Sequence, residues 1–335
     1  MRIAEMPTPA LVADVGAMRF NLGHMAATLP GPRCRPHIKA HKSTGLARLQ
    51  AEAGHHSFTC ATPLEMIGMA KAGLGDDLLL ANEVVDPHRL RELAAVQDQA
   101  RITVAVDSDA TINAAATAGI RDVLVDVNVG LPRCGCAPDA AGRVADQARA
   151  RGLHVRGVMG YEGHVMPIVD RAERTKMVEE CMERLRIAHD LVGGDVFSAG
   201  GTGTYDLHAA GTEVQAGSYL LMDSYYGRLG LPFRQALTVV ATVVSVSPNW
   251  AVCDAGLKSL GMDHGNPSID GAEVWFCSDE HITFATGEHR RRPAIGERVH
   301  VIPAHVDPTM ALHERIQLVE GDDVIDSLAI DLRGW

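Results

Sequence analysis

The sequence predicts an α/β fold: a (β/α)8 TIM barrel with an additional C-terminal β domain. From Arg33 to about Gly217, short β-branched runs alternate with amphipathic segments, the pattern of strand–helix units around a parallel sheet. Eight such runs can be counted, the number at which a parallel sheet closes into a barrel. After Pro232 helical spacing gives way to short alternating strands. A doubly wound sheet is the alternative that periodicity alone leaves open.

The elements follow in order. An apolar run at Ala10 to Val12 offers a strand to the β domain. The barrel runs are Cys34 to Ala40, His56 to Cys60, Asp77 to Ala81, Ile102 to Val106, Asp122 to Val127, His154 to Gly160, Asp195 to Ala199 and Glu213 to Ala216. Between them, Ser43 caps a helix that stops at Gly54, and Pro138 opens one that stops at Gly152. Asp170 to Val192 puts Met177, Cys181, Leu185 and Ala188 on one stripe before Gly193 ends it. The β domain is read from Leu237 to Val246, Glu273 to Cys277, Arg298 to Ile302, Arg315 to Val319 and Val324 to Leu332. The expected division is residues 15–232 for the barrel and 233–335 with 1–14 for the β domain, which fits the roughly 150 residues of an average domain.

Composition bounds the function. Thirty-one Lys and Arg against 42 Asp and Glu give a net charge of −11, the wrong sign for neutralising phosphates, so no nucleic-acid partner is expected. The longest apolar run, Leu237 to Val246, is far short of the ~20 residues that cross a bilayer, so no membrane partner is expected either. Pro7 interrupts the N-terminus before a signal-peptide core develops. Seven scattered Cys, with Cys134 and Cys136 too close for a CxxC pattern, point to a reducing cytoplasm.

Unusual polar residues gather at the expected C-terminal ends of the barrel runs, where active sites of this architecture lie. In Pro36-His37-Ile38-Lys39-Ala40-His41-Lys42, a period of two aims His37, Lys39 and His41 to one side. An ammonium among imidazoles and a second cation is disfavoured, which makes the amine nucleophilic; a solvated basic loop is the competing reading. Gly200-Gly201-Thr202-Gly203-Thr204 suits backbone N–H groups closing on a phosphate, or simply a tight turn. It lacks both GxxxxGK[ST] and the third Gly of GxGxxG, which favours a phosphate-bearing cofactor over a nucleoside triphosphate. Arg133 follows the fifth run and Tyr161-Glu162-Gly163-His164 the sixth; a guanidinium polarises a phenolate, and a ring stacks on a heterocycle. In Pro303-Ala304-His305-Val306-Asp307-Pro308, an extended chain projects His305 and Asp307 from one face, as a two-ligand site for Mn²⁺, Mg²⁺, Co²⁺ or Zn²⁺ or as a hydrogen-bonded pair. Ser278-Asp279-Glu280-His281 offers second-layer partners or an exposed turn.

Read together, the ordered blocks Arg35-Pro36-His37-x-Lys39-x-His41-Lys42, Gly130-x-x-Arg133-Cys134-Gly135, Gly200-Gly201-Thr202-Gly203, Gln215-Ala216-Gly217-Ser218-Tyr219-x-x-Met222-Asp223, Asp254-Ala255-Gly256-Leu257-Lys258-Ser259, Asp279-Glu280-His281 and His305-Val306-Asp307-Pro308-Thr309 resemble the D-threonine aldolase and D-serine dehydratase family. These are fold-type III pyridoxal 5'-phosphate (PLP) enzymes, similar in architecture to alanine racemase. The resemblance runs from about Thr8 to Gly334.

The resemblance implies that Lys39 carries the PLP and that Gly201, Thr202, Gly203, Ser218 and Tyr219 hold its phosphate. It also implies that Arg133 stands near the phenolic oxygen, that Tyr161 lies beside the ring, and that His305 with Asp307 binds a divalent ion. In this family dehydratases resemble one another in a His-x-Cys pair for zinc, whereas aldolases have His-x-Asp and use manganese or a similar hard ion; Asp307 therefore points to aldol cleavage. Glu162 departs from the family pattern, which has His directly after the Tyr; the nearest here is His164.

The expected reaction is cleavage of a D-β-hydroxy-α-amino acid to glycine and an aldehyde, with water on the ion, His164 or Glu162 taking the β-hydroxyl proton. The rivals are β-elimination from D-serine or 3-hydroxyaspartate, a racemase, a noncatalytic PLP carrier and a PLP-free metal hydrolase. A homodimer with composite sites is what the family implies.

Overall fold

A computed structural model describes residues 1–287 and 291–334; residues 288–290 and 335 of the expected β domain lie outside the described residues. The strands are β1 (Ala10–Asp14), β2 (Ser57–Cys60), β3 (Asp77–Leu80), β4 (Arg101–Val106), β5 (Asp122–Asp126), β6 (His154–Met159), β7 (Val196–Ala199), β8 (Glu213–Val214), β9 (Leu237–Val246), β10 (Ala251–Cys253), β11 (Ser268–Ile269), β12 (Ala272–Cys277), β13 (Ile282–Thr286), β14 (Arg298–Ile302), β15 (Arg315–Glu320) and β16 (Asp323–Ala329). They form two compact units. One holds Met1–His24, Ala40–Gly45 and Ser218–Arg333, the other Met25–Lys39, Leu46–Gly217 and Gly334. The seams fall at 24/25, 39/40, 45/46, 217/218 and 333/334, where the expected division has two, at 14/15 and 232/233.

In the second unit β2 to β8 lie side by side in sequence order, all parallel. The ring is closed by residues 34–37, through single parallel bridges from Cys34 to Val214 and from His37 to Thr59. This corrects the expectation of a full first strand. Pro36 has no N–H to donate, so pairing is reduced to single bridges, and Ile38–Ala40 then coils into a 3₁₀ turn. The two-residue alternation of His37, Lys39 and His41 is lost with it, and His41 turns into the core as a buried side chain.

Capping residues stand at the starts of the surrounding helices. Thr62 caps Pro63–Lys71, Asp86 caps Pro87–Ala94, Ser108 caps Asp109–Ala118 and Asp170 caps Arg171–Val192, each side chain accepting a backbone N–H of the first turn. The last helix buries Arg174, Val178, Cys181, Leu185, Ala188 and Val192, a stripe one position off the expected one at its start, since Met177 is only half-buried. Leu79, Ala105, Leu124, Met159 and Val196 form one apolar cluster across β3 to β7.

An ionic group of Arg35, Asp77, Arg156 and Glu213 ties together positions around the same ring. Arg35 donates to Glu213 at 2.8 Å and to Asp77 at 3.0 Å, while Arg156 donates to both Asp77 oxygens, at 2.6 and 2.7 Å, and to Thr103. Arg156 sits at a register shift between β5 and β6. Gly157 beside it has φ +147° and lies so close to β7 that a Cβ there would stand 2.0 Å from the Val196 carbonyl oxygen. Only glycine fits this position.

In the first unit β9, β10, β13, β12, β11 and β14 close an antiparallel ring, and β1, β15 and β16 extend it from β9. The sequence reading found most of these strands. It missed the short β10 and β11 and also β13, and it expected no helix where Val306–Leu312 forms one. The run at Ala10 to Val12 is β1, paired antiparallel to β9 and parallel to β15. Ile3, Met6, Val12, Val240 and Val319 pack beneath it.

Candidate active site

The barrel unit brings several of the expected residues to one aromatic ring. Lys39, in its 3₁₀ turn, places Nζ 6.0 Å from the Tyr161 ring centroid, and the Arg133 guanidinium carbon lies 5.3 Å from it. An amine and a guanidinium around one phenol ring suit an anionic aromatic ligand. The glycine-rich segment approaches the same ring: a Cβ on Gly201 would meet Met166 Cε at 3.3 Å and Tyr161 Cε2 at 3.6 Å. Gly200 has φ +85°, and Thr202–Thr204 form a 3₁₀ turn with Thr202, Gly203 and Thr204 buried. This cradle, which added side chains would crowd, together with the donor set fits PLP.

Glu162 is fully buried and behind this loop. It accepts from Thr204 Oγ1 at 2.7 Å, from His208 Nε2 at 2.8 Å and from the Gly200 N–H at 3.3 Å. Burial opposes its charge, but the His208 imidazole and the Thr204 bond hold its carboxyl below the usual range. Both carboxylate oxygens are engaged, so the expectation that Glu162 takes a substrate proton gives way to a role holding Gly200–Thr204. His164 Nε2 faces Cys181 Sγ at 3.8 Å, while its Nδ1 is buried with no hydrogen-bond partner among the described residues. At the end of β5, burial and the neighbouring Glu83 push the Asp126 carboxyl up, with Arg133 opposing.

In the other unit Ser218 and Tyr219 lie in a buried 3₁₀ turn, and Ser218 Oγ is 3.5 Å from Asp307 Oδ1. His305 precedes the helix Val306–Leu312 and Asp307 lies in its first turn, so the pair is not the extended one expected. The turn still brings them together, with His305 Nε2 3.9 Å from Asp307 Oδ1. Two donors about 2.1 Å from one ion are at most about 4.2 Å apart, so the pair fits a divalent cation.

Three neighbours have no role in the sequence motifs: Asp223, which closes one of the blocks, and Asp263 and His264, which lie outside all of them. Asp223 accepts from the N–H groups of Tyr226 and Val306, at 2.8 and 2.9 Å, and burial pushes its carboxyl up to about 6. Asp263 Oδ2 accepts from His305 Nδ1 at 2.7 Å, and the His264 ring stacks on His305. A search for Asp-His dipeptides would have found Asp263-His264. The second-layer role considered for Ser278-Asp279-Glu280-His281 falls elsewhere: Asp279 and Glu280 are exposed and pair with Lys258.

Residues 13–225 match the family described as alanine racemase, N-terminal domain, and residues 236–319 the putative serine dehydratase domain. The chain belongs to the D-threonine aldolase and D-serine dehydratase family of fold-type III PLP enzymes. It is 34% identical to a D-threonine aldolase of Arthrobacter sp., over 99% of this chain and 94% of that one. A 3-hydroxy-D-aspartate aldolase of Paracoccus denitrificans (strain Pd 1222) is 30% identical, over 93% of this chain and 88% of its own. The crystal structure of D-threonine aldolase from Filomicrobium marinum superposes with a TM-score of 0.95 at 31% identity, covering 99% of this chain and 97% of that one. Like other members of this family, the chain is an enzyme with the alanine racemase-like architecture.

Proposed function

We propose that this enzyme is a carbon–carbon lyase that cleaves D-β-hydroxy-α-amino acids, D-threonine-like, to glycine and an aldehyde, with PLP and a divalent metal. The observation that carries the choice is Asp307 paired with His305, an oxygen and nitrogen donor set without thiolate. Identity to the two aldolases supports it.

When bound, PLP supplies an electron sink for the pair left on Cα as Cα–Cβ breaks. A divalent ion, most simply Mn²⁺ with Mg²⁺, Co²⁺ and Zn²⁺ as alternatives, supplies Lewis-acid polarisation of the β-hydroxyl. The chain's residues do the rest. Lys39 carries the cofactor, Arg133 faces its phenolic oxygen, Tyr161 flanks its ring, and Gly201, Thr202, Gly203, Ser218 and Tyr219 receive its phosphate. His305 and Asp307 hold the ion. His164, whose Nδ1 has no hydrogen-bond partner among the described residues, receives the hydroxyl proton. In this assignment residues 15–232 bind the cofactor and 233–335 with 1–14 carry the metal.

The reading includes a homodimer in a reducing cytoplasm, to which seven scattered cysteines without a CxxC pattern are suited. Incubating the PLP-loaded enzyme with D-threonine, with and without chelator, tests it. Glycine and acetaldehyde that vanish with chelation are expected. The serine dehydratase match favours one second reading, elimination, which would instead release 2-oxobutanoate and ammonia and overturn the first.

A further inference from the structure

His305 is held from two sides. Its Nδ1 lies 2.7 Å from Asp263 Oδ2. An ionised carboxylate only accepts, so Nδ1 carries the proton and the lone pair stays on Nε2, the nitrogen that faces Asp307. The His264 ring lies on His305 with centroids 3.9 Å apart and planes 11° from parallel, and Tyr225 stacks on His264 at 4.1 Å and 30°.

Asp263, His264 and His305 bring ligand atoms within 4.8 Å of one another, so a three-ligand site is one way to read them. The stack rules that out. Imidazole lone pairs lie in the ring plane, and an ion bound to His305 Nε2 lies in its ring plane, about 2.1 Å from the nitrogen. Near-parallel rings 3.9 Å apart keep that ion well outside the plane of His264. One ion therefore cannot be served by both rings.

The backbone fixes the loop that carries these residues. Gly261 pairs with His305 in an antiparallel bridge, its N–H donates to Thr309 Oγ1 at 2.9 Å, and Thr309 Oγ1 donates to the His305 carbonyl at 2.7 Å. A Cβ on Gly261 would stand 2.3 Å from Pro308 Cγ, so this approach requires glycine.

We propose that Asp263 and His264 are positioning residues for the metal ligand His305: Asp263 fixes the tautomer and aim of Nε2, and His264 clamps the ring by stacking without ligating. The inference rests on the reading that His305 and Asp307 are the metal ligands. A carboxylate behind a ligating imidazole strengthens metal binding by about 10–100-fold.

The test is Mn²⁺ affinity of the chelator-stripped, PLP-loaded enzyme, measured from the electron paramagnetic resonance signal of unbound Mn²⁺, with metal-free melting temperatures as the fold control. Asp263→Ala should weaken binding about 10–100-fold, with Asp263→Asn, which retains an acceptor oxygen, falling between it and the parent. His264→Phe keeps a stacking ring without a ligand nitrogen and should stay within about threefold of the parent. His305→Ala should abolish binding. Parent-like affinity in Asp263→Ala, or loss in His264→Phe as complete as in His305→Ala, overturns the positioning roles. Parent-like affinity in both His305→Ala and Asp307→Ala overturns the underlying site instead.

Discussion

Glu162 shows what one position does when its neighbours are known. Its carboxylate spans Gly200, Thr204 and His208, so it shapes the loop expected to meet the cofactor phosphate. Glu162→Gln keeps the shape and removes the charge opposite His208. The expected result is a PLP dissociation constant raised about tenfold, read by absorbance titration, and about 1–3 kcal/mol of lost stability in the apoprotein. An unchanged dissociation constant with a lowered melting temperature would reduce Glu162 to a packing role. None of this was legible in Tyr161-Glu162-Gly163-His164, because Glu162 takes its meaning from His208, far along the chain and unmarked by any motif. Asp307 differs: its partner is two residues away, so the pairing could be read from the sequence even though the expected extended geometry was wrong.

At the scale of elements, β2 to β8 were legible to within a residue or two because continuous apolar runs bounded by capping residues admit few other readings. The first run was not, since Pro36 and the turn at Ile38–Ala40 override its apparent alternation. The buried ions of the ring make a pH prediction. Burial opposes the Asp77 charge, but Arg156 and then Arg35 hold its carboxyl down to about 2. A carboxyl depressed in the folded state stabilises fully above its ordinary value, and that contribution is lost as pH falls from about 4 through 2; it amounts to about 2 kcal/mol. Urea unfolding across that window should show the loss in the parent and not in Asp77→Asn. That variant should already be about 3 kcal/mol less stable at pH 7, because Arg156 is left buried without its carboxylate. Gly157→Ala belongs to the same strand. It should cost at least about 2 kcal/mol by the same measurement, and a loss below 0.5 kcal/mol (roughly a surface substitution) would contradict the close approach to β7.

At the scale of the whole molecule, the net charge of −11 has the wrong sign for neutralising nucleic-acid phosphates, and among the described residues no helix is long and apolar enough to cross a membrane. The chain passes between its two units at 24/25, 39/40, 45/46, 217/218 and 333/334, an interleaving that hydropathy patterns do not reveal because each segment looks locally complete. β1 is the clearest case: it lies between β9 and β15. Removing residues 1–14 should leave two unpaired strand edges and yield aggregated protein without a cooperative unfolding transition; soluble protein with a parent-like transition would show that β1 is dispensable.

The same placement sets an order on biosynthesis. β1 finds both its neighbours only after Glu320 has been translated. During elongation at about 5–20 residues per second, a nascent chain carrying Leu11 and Val12 unshielded therefore persists for many seconds, a window in which a holdase chaperone would have an extended apolar strand to grip.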